Sequence, residues 1–204
     1  MFIPLHDANS LKRIRLQYVT IGLIAANVLV FVMTALGPDA YVIGNVYRLG
    51  YIPSVIFDHV ELPPELALVP EGFTYVTYAF LHADIMHLGG NMLFLWVFGD
   101  NVEDALGHVR FLIFYVLCAV AGAAFHGLLA QESEVPLIGA SGAVAGVVTA
   151  YLILHPRVKI WILAFGRLRC ASRPGPRWRC GSPSSSPCSP SAATTRCRGP
   201  AMSA

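Results

Sequence analysis

The sequence has few charged side chains, and no acidic residue follows Glu134. Charged residues make up 13% of the chain and apolar residues 55%, so the composition is too apolar for an ordinary soluble domain of this length. A membrane protein is the class that this composition favours. We therefore expect a protein that lies in the lipid bilayer and has no nucleic-acid partner.

The sequence also lacks cysteine pairs with the spacing of a metal site or a disulfide framework. Cys118 stands alone in an apolar stretch, and the remaining cysteines lie near the C-terminus, namely Cys170, Cys180, Cys188 and Cys197. Their separations of ten, eight and nine residues match neither a C-x-x-C zinc motif nor a disulfide pattern that the sequence can support. We expect no metal site and no structural disulfide.

Charge divides the chain into two parts. Residues 1–166 contain 7 basic and 12 acidic side chains, whereas residues 167–204 contain 7 arginines and no acid. The second part is rich in Arg, Pro, Ser and Cys and has no apolar pattern with which to form a core. One interpretation is a disordered basic cytoplasmic tail. We favour an out-of-frame translation, because the change is abrupt and falls within an emerging apolar span.

Four apolar stretches have about the length that a helix needs to cross the hydrocarbon layer, which is roughly twenty residues. They cover residues 18–36, 85–99, 109–130 and 138–154. A fifth apolar piece, residues 158–166, is too short to cross. The sequence therefore predicts an all-α polytopic membrane protein with four complete transmembrane helices and a short fifth piece.

The distribution of Lys and Arg predicts the orientation of these spans. A cytoplasmic N-terminus places only Arg48 on the outer side and puts six basic residues on the inner side, as the positive-inside rule requires. The six are Lys12, Arg13, Arg15, Arg110, Arg157 and Lys159. A cleaved signal peptide is disfavoured, because the first apolar stretch is long for one and more spans follow. Residues 37–84 are then an outer connection, acidic and aromatic, that suits the membrane interface.

These features predict three segments. Residues 1–16 form a cytoplasmic N-terminal segment, residues 17–166 a membrane domain, and residues 167–204 a disordered tail. We expect a multi-pass protein of a bacterial inner or cell membrane.

Polar side chains inside apolar spans are costly, so each is a functional candidate. His87 and Asn91 lie four residues apart in the second span, and on a helix they point about 40° from each other. Ser141 lies at the start of the fourth span, beside Gly142 and Gly146, whose spacing is typical of close helix packing. Taken alone, Ser141 is more simply a packing residue that bonds its own backbone. However, the predicted orientation puts all three polar residues at one depth below the outer surface, which favours a single site.

At these residues the sequence resembles the rhomboid family of intramembrane serine proteases. The pattern His82-x-x-x-x-His87-x-x-x-Asn91 is similar to the second-span motif of the family, and Gly139-Ala140-Ser141-Gly142 is similar to its nucleophile motif. The G-x-x-x-E-x-x-x-G turn of the family is matched by Gly99, Glu103 and Gly107, with Arg110 following. The resemblance covers roughly residues 15–165.

The resemblance implies a rhomboid-like helical bundle of six helices, a Ser-His dyad, and neither metal nor cofactor. Ser141 would be the nucleophile that attacks a peptide bond in or near the transmembrane segment of a substrate protein. His87 and Asn91 would stabilise the oxyanion together with the backbone N–H of Ser141, since donors in a dry site stabilise developing negative charge strongly. His82, Gly139 and Gly142 would support the site.

The chain departs from the family at its C-terminal end, where the final helices are missing and with them the family's dyad histidine. A serine hydroxyl is a weak nucleophile without a base. His155 is predicted to lie at the wrong side of the membrane, and His126 is more simply a packing or interfacial residue. We therefore expect a serine endopeptidase by family that is nearly inactive as written. The alternative is a non-catalytic pseudoprotease that binds transmembrane helices.

Overall fold

The computed structural model describes residues 2–7, 13–35, 37–67, 69–156, 160–164 and 167–171. These residues are mostly helical, in agreement with the predicted all-α class. The described helices are α1 Tyr18–Ala35, α2 Asp39–Leu49, α3 Pro53–Ile56, α4 Glu71–Thr77, α5 Ile85–Leu106, α6 His108–Leu129 and α7 Ser141–Leu154, with a 3₁₀ helix Tyr78–Phe80 before α5.

The number of complete membrane spans differs between prediction and structure. By length and composition, α1 and α6 are each able to cross a membrane, whereas α7 is apolar but has only 14 residues. Helix α5 has 22 residues, but its C-terminal end carries acidic side chains. The count of four complete spans is therefore not confirmed, although four long helices do occupy the predicted positions.

The core lies where α5, α6 and α7 meet. Helix α7 packs against both α5 and α6, and α1 packs against the other side of α5. The buried apolar side chains at the centre of this arrangement are Leu95, Val102, Phe111, Tyr115, Val147 and Tyr151.

Glycines bring α6 and α7 into close contact. A Cβ built on Gly122 of α6 would lie 3.1 Å from the Cα of Gly142, and a Cβ on Gly146 would lie too close to Cys118 to be accommodated. Cys118 and Gly122 are four residues apart on α6, and Gly142 and Gly146 are four residues apart on α7. The two contacts therefore form one continuous line, which we call the glycine seam. The spacing of Gly142 and Gly146 thus serves close helix packing.

The short fifth apolar piece is not helical. Residues Ile160–Ala164 form strand β2, which pairs antiparallel with β1, Phe2–Asp7, and with β3, Arg167–Ala171. The pairing joins segments from the two ends of the described chain, and no local sequence pattern signals such a contact. Strand β3 contains the first residues of the predicted tail, and residues 172–204 lie outside the described residues.

The connection between α1 and α5 contains helices as well as turns. Helices α2, α3 and α4 lie within it, and they leave Tyr41, Ile43 and Phe73 exposed. The connection is attached to the segment before α7 through a bridge in which Tyr51 and Leu137 exchange two backbone hydrogen bonds of 2.8 and 3.1 Å. This attachment brings the region before α5 next to the start of α7.

Candidate active site

The start of α5 places His87 and Asn91 in its first two turns. Asp84 caps this helix, and its Oδ1 accepts hydrogen bonds of 2.8 Å from the backbone N–H groups of Met86 and His87. Such a cap satisfies donors that the first turn leaves unpaired. One turn later, the Asn91 side-chain amide donates to the His87 backbone carbonyl at 2.9 Å, which fixes the position of the amide.

The start of α7 is set by a turn at Gly139. This residue has φ +111, a conformation that favours glycine, and its N–H donates to the Tyr78 carbonyl at 3.0 Å. The helix begins two residues later, at Ser141. As the first helical residue, Ser141 has a backbone N–H without an acceptor inside the helix.

The two helix starts meet through His87 and Gly139. A Cβ on Gly139 would lie 2.6 Å from both Cε1 and Nε2 of His87, closer than such atoms can approach. The imidazole therefore lies directly against the backbone of the nucleophile motif, and only glycine leaves room for it.

His87, Asn91 and Ser141 line one open groove of about 580 Å³ between α5 and α7. Asn91 is only 8% exposed, His87 is half-buried, and Ser141 is exposed. The α7 side of the groove also carries Ala145 and Thr149, one and two turns beyond the serine, and both are exposed. The structure thus brings together the three residues that sequence analysis selected.

His82 lies behind His87, in the loop between the 3₁₀ helix and α5. The two rings are 5.1 Å apart between centroids in an edge-to-face arrangement, and His82 is 7% exposed. Burial lowers the pKa of His82 to about 4, helped by the nearby charge of His87 and opposed by the carbonyl of Phe80. His82 is therefore neutral at pH 7 and presents a flat, uncharged partner to the His87 ring.

The two histidines considered as alternative bases lie elsewhere. His155 follows the last residue of α7, about 20 Å along the helix from Ser141, and His126 is in the last turn of α6. Among the described residues that line the groove, His87 is the only histidine. The described part of the chain also contains no group of three His, Cys, Asp or Glu side chains arranged to hold a metal ion.

Tyr78 supports this site but was not among the residues selected from the sequence. The Tyr78 hydroxyl donates to the Ala119 carbonyl of α6 at 2.8 Å, while its carbonyl holds Gly139. A lone tyrosine in an aromatic loop has no spacing pattern that would reveal this role.

Glu103, at the other end of α5, was noted only as a motif position. It is fully buried, and its carboxylate accepts hydrogen bonds from the N–H groups of Val19 and Thr20 and from the Thr20 hydroxyl, at 2.6–3.0 Å. His108 Nδ1 lies 2.5 Å from its Oε1.

Comparison with known proteins gives a consistent result. The family model described as the Rhomboid domain matches residues 70–170. Rhomboid protein 1, mitochondrial, of Saccharomyces cerevisiae is 41% identical over 91 residues, which are 43% of this chain and 26% of that protein. RHOMBOID-like protein 12, mitochondrial, of Arabidopsis thaliana is 32% identical over 108 residues, 45% of this chain and 32% of that protein.

A third relative is Rhomboid-related protein 3 of Homo sapiens, 36% identical over 102 residues, or 50% of this chain and 23% of that protein. The matched region thus spans between 23% and 32% of the length of these relatives. The residues that the family model matches, 70–170, include Tyr78, both helix starts and the groove between α5 and α7.

Proposed function

Because this chain belongs to the rhomboid family, we propose that its groove is the site of an intramembrane serine endopeptidase, with Ser141 as the nucleophile. Members of this family act on membrane-protein substrates within the bilayer. The observation that carries the proposal is that the exposed serine, the imidazole and the side-chain amide line one groove. The substrate would be a transmembrane segment that enters this groove from the lipid.

The proposed reaction begins with attack of Ser141 Oγ on a peptide carbonyl carbon. The carbonyl oxygen gains negative charge, and the Asn91 amide, the His87 imidazole and the Ser141 N–H are the donors proposed to stabilise it. Such donors act strongly because they are fixed before the reaction and lie away from water. Loss of one donor of this kind typically costs about 10²–10³ in rate.

Proton transfer from Ser141 is the step for which the described residues of the groove offer no separate base. His87 is the only histidine among the described groove-lining residues, and the proposal uses it for the oxyanion. Loss of a dyad partner removes orders of magnitude of rate. We therefore expect peptide cleavage by this chain to be very slow.

A second candidate is a non-catalytic rhomboid-like protein that binds transmembrane helices. The same lack of a base favours it, and so does the mainly apolar, open groove. The two candidates differ in one property, which is whether Ser141 can be made to react.

We also propose that the N-terminus is cytoplasmic, which follows from the distribution of Lys and Arg. In support, the backbone N–H of Arg13 donates to Asp104 Oδ1 at 2.6 Å, so the basic residues before α1 and the end of α5 lie on one side. Our proposal of a bacterial inner or cell membrane has no support from the relatives compared above, which are eukaryotic and in part mitochondrial.

The proposal is tested by adding imidazole as an external base for Ser141. Purified chain in lipid nanodiscs is treated with a fluorophosphonate probe with and without added imidazole. The serine oxygen forms a bond to phosphorus, fluoride leaves, and the proton goes to imidazole. We expect imidazole to accelerate labelling at Ser141 and Ser141→Ala to abolish it. Labelling that persists in Ser141→Ala would remove Ser141 from the mechanism, and wild-type protein that stays unlabelled would favour the binding candidate.

The origin of the tail is tested separately. The coding nucleotide sequence beyond residue 166 is translated in all three frames. We expect another frame to encode further apolar spans with a histidine in a small-residue context. If no frame does so, the tail is genuine and the binding candidate gains support.

A further inference from the structure

Tyr78 connects three parts of the fold at the back of the proposed site. It lies in the 3₁₀ helix before α5 and is 1% exposed. Its carbonyl accepts the Gly139 N–H at 3.0 Å, and its hydroxyl donates to the Ala119 carbonyl of α6 at 2.8 Å. A single residue thus links the segment before α5 to α6 and to the turn before α7.

The Tyr78 hydroxyl also fills the narrow space at the glycine seam. A Cβ on Gly122 or on Gly142 would lie 3.2 Å from this oxygen, so a side chain at either position would crowd the hydroxyl. Burial raises the pKa of Tyr78 to about 12, and the hydroxyl therefore remains a hydrogen-bond donor at neutral pH. Its position between the helices is set by packing and by a hydrogen bond.

We propose that Tyr78 is a positioning residue for the nucleophile. Its carbonyl holds Gly139 and its hydroxyl occupies the space beside Gly142, so it restrains the chain on both sides of Ser141. Tyr78 is not among the residues that line the groove, and it acts only through the placement of the serine. This inference rests on the proposed function, in which Ser141 is the reacting group.

The test compares Tyr78→Phe with Tyr115→Phe. Both tyrosines are 1% exposed, but Tyr115 lies about two turns along α6 from Gly122. Imidazole-assisted labelling is measured against probe concentration. We expect Tyr78→Phe to lower the maximal labelling rate about 10- to 100-fold without changing the half-saturating probe concentration, and Tyr115→Phe to leave both unchanged. Equal maximal rates in the two variants would overturn the proposal.

A second measurement does not depend on reactivity. Hydrogen exchange of the Gly139 N–H reports the bond to the Tyr78 carbonyl. We expect faster exchange in Tyr78→Phe than in wild type, with no change in Tyr115→Phe. If the wild type is not labelled at all, the proposed function fails, and exchange alone decides whether Tyr78 holds the turn. Unchanged exchange in Tyr78→Phe would overturn the positioning role in either case.

A further variant approaches the same contact from α6, in case Tyr78→Phe does not fold. Gly122→Ala places a methyl group 3.2 Å from the Tyr78 hydroxyl, whereas Gly22→Ala on α1 meets nothing within 4 Å. We expect Gly122→Ala, but not Gly22→Ala, to slow labelling and to accelerate exchange at Gly139. Equal behaviour of the two alanine variants would contradict the proposal.

Discussion

Helix α5 carries polar side chains at both ends, and the two ends differ in how these groups are satisfied. At its C-terminal end, which we call the inner end, the carboxylate of Glu103 is fully buried and receives hydrogen bonds from the start of α1, with His108 beside it. At its N-terminal end, which we call the outer end, His87 and Asn91 line an open groove. A buried polar group with all its partners stabilises a fold, whereas donors directed into a groove are available to a ligand.

The inner cluster explains why a carboxylate is tolerated inside the bundle. Burying a charge is costly unless it is hydrogen-bonded. The N–H groups of Val19 and Thr20 belong to the first turn of α1, where they have no acceptor within the helix. Glu103 therefore caps α1. The carboxylate gains hydrogen-bond donors, and the N–H groups of Val19 and Thr20 gain an acceptor.

The comparison predicts that Glu103→Ala has the largest effect on stability. The substitution leaves the α1 donors and His108 without their buried acceptor, and we expect a loss of about 3 kcal/mol in the free energy of unfolding. Denaturation in mixed micelles, followed by circular dichroism, measures it. Glu103→Gln is the control and should lose less, because one acceptor oxygen remains. Unchanged stability of Glu103→Ala would show that the cluster is not structural.

At the outer end we expect a large effect on reactivity and a small effect on stability. His87→Ala should slow imidazole-assisted labelling of Ser141 about 100-fold and should change the free energy of unfolding by less than about 1 kcal/mol. Val109→Ala, which changes an exposed side chain outside the groove, is the control and should label at the wild-type rate. A large loss of stability with unchanged labelling in His87→Ala would reverse the assignment of the two ends.

Acid should weaken the outer end through His82. Its pKa in the fold is about 4, against an ordinary value of 6.5, so folding favours the neutral ring. The contribution of the neutral His82 ring to the free energy of unfolding is complete above pH 6.5 and is lost as the pH falls towards 4. We expect a loss of roughly 1–2 kcal/mol between pH 7 and pH 5. His82→Gln should flatten this dependence, and an equal slope in both proteins would contradict it.

The smallest effect is expected at Asp104, beside the inner cluster. Its Oδ1 accepts from the N–H groups of Arg13 and Ile14 at 2.6 and 2.7 Å, but it is half-buried and near water. Asp104→Asn keeps an acceptor and should cost less than about 1 kcal/mol by the same denaturation measurement. If Asp104→Asn lost as much free energy of unfolding as Glu103→Ala, burial would not explain a difference between the two carboxylates.

The sequence predicts the long helices well and their polar ends less well. The bounds of α1 and α6 lie within one residue of the predicted spans, because each apolar run is flanked by polar residues. Helix α5 continues seven residues beyond its predicted end, since Asn101 and Glu103 are buried and Glu103 bonds to the start of α1, so these polar residues do not stop the helix. Helix α7 begins three residues late, because Gly139 adopts a positive φ and bonds to Tyr78.

Contacts between distant segments were beyond the reach of the sequence. The spacing of His87 and Asn91 on a helix is a local property and could be predicted, as could the packing role of Gly142. The contact of Gly139 with His87, the link from Tyr78 to α6 and the pairing of β1 with β2 depend on how separate segments meet. Such contacts leave no periodic pattern in a single sequence.

The glycine seam restricts the direction in which the Ser141 side chain points around the axis of α7. Advancing α7 by one residue past α6 would turn the Ser141 hydroxyl by about 100°, from the groove into the bundle or the lipid. The backbones at Gly122 and Gly142 are already too close to accept even a methyl group without movement, so this rotation is blocked mechanically. Substitutions on the groove face of α7 should therefore alter which ligands fit while leaving the direction of the Ser141 hydroxyl unchanged.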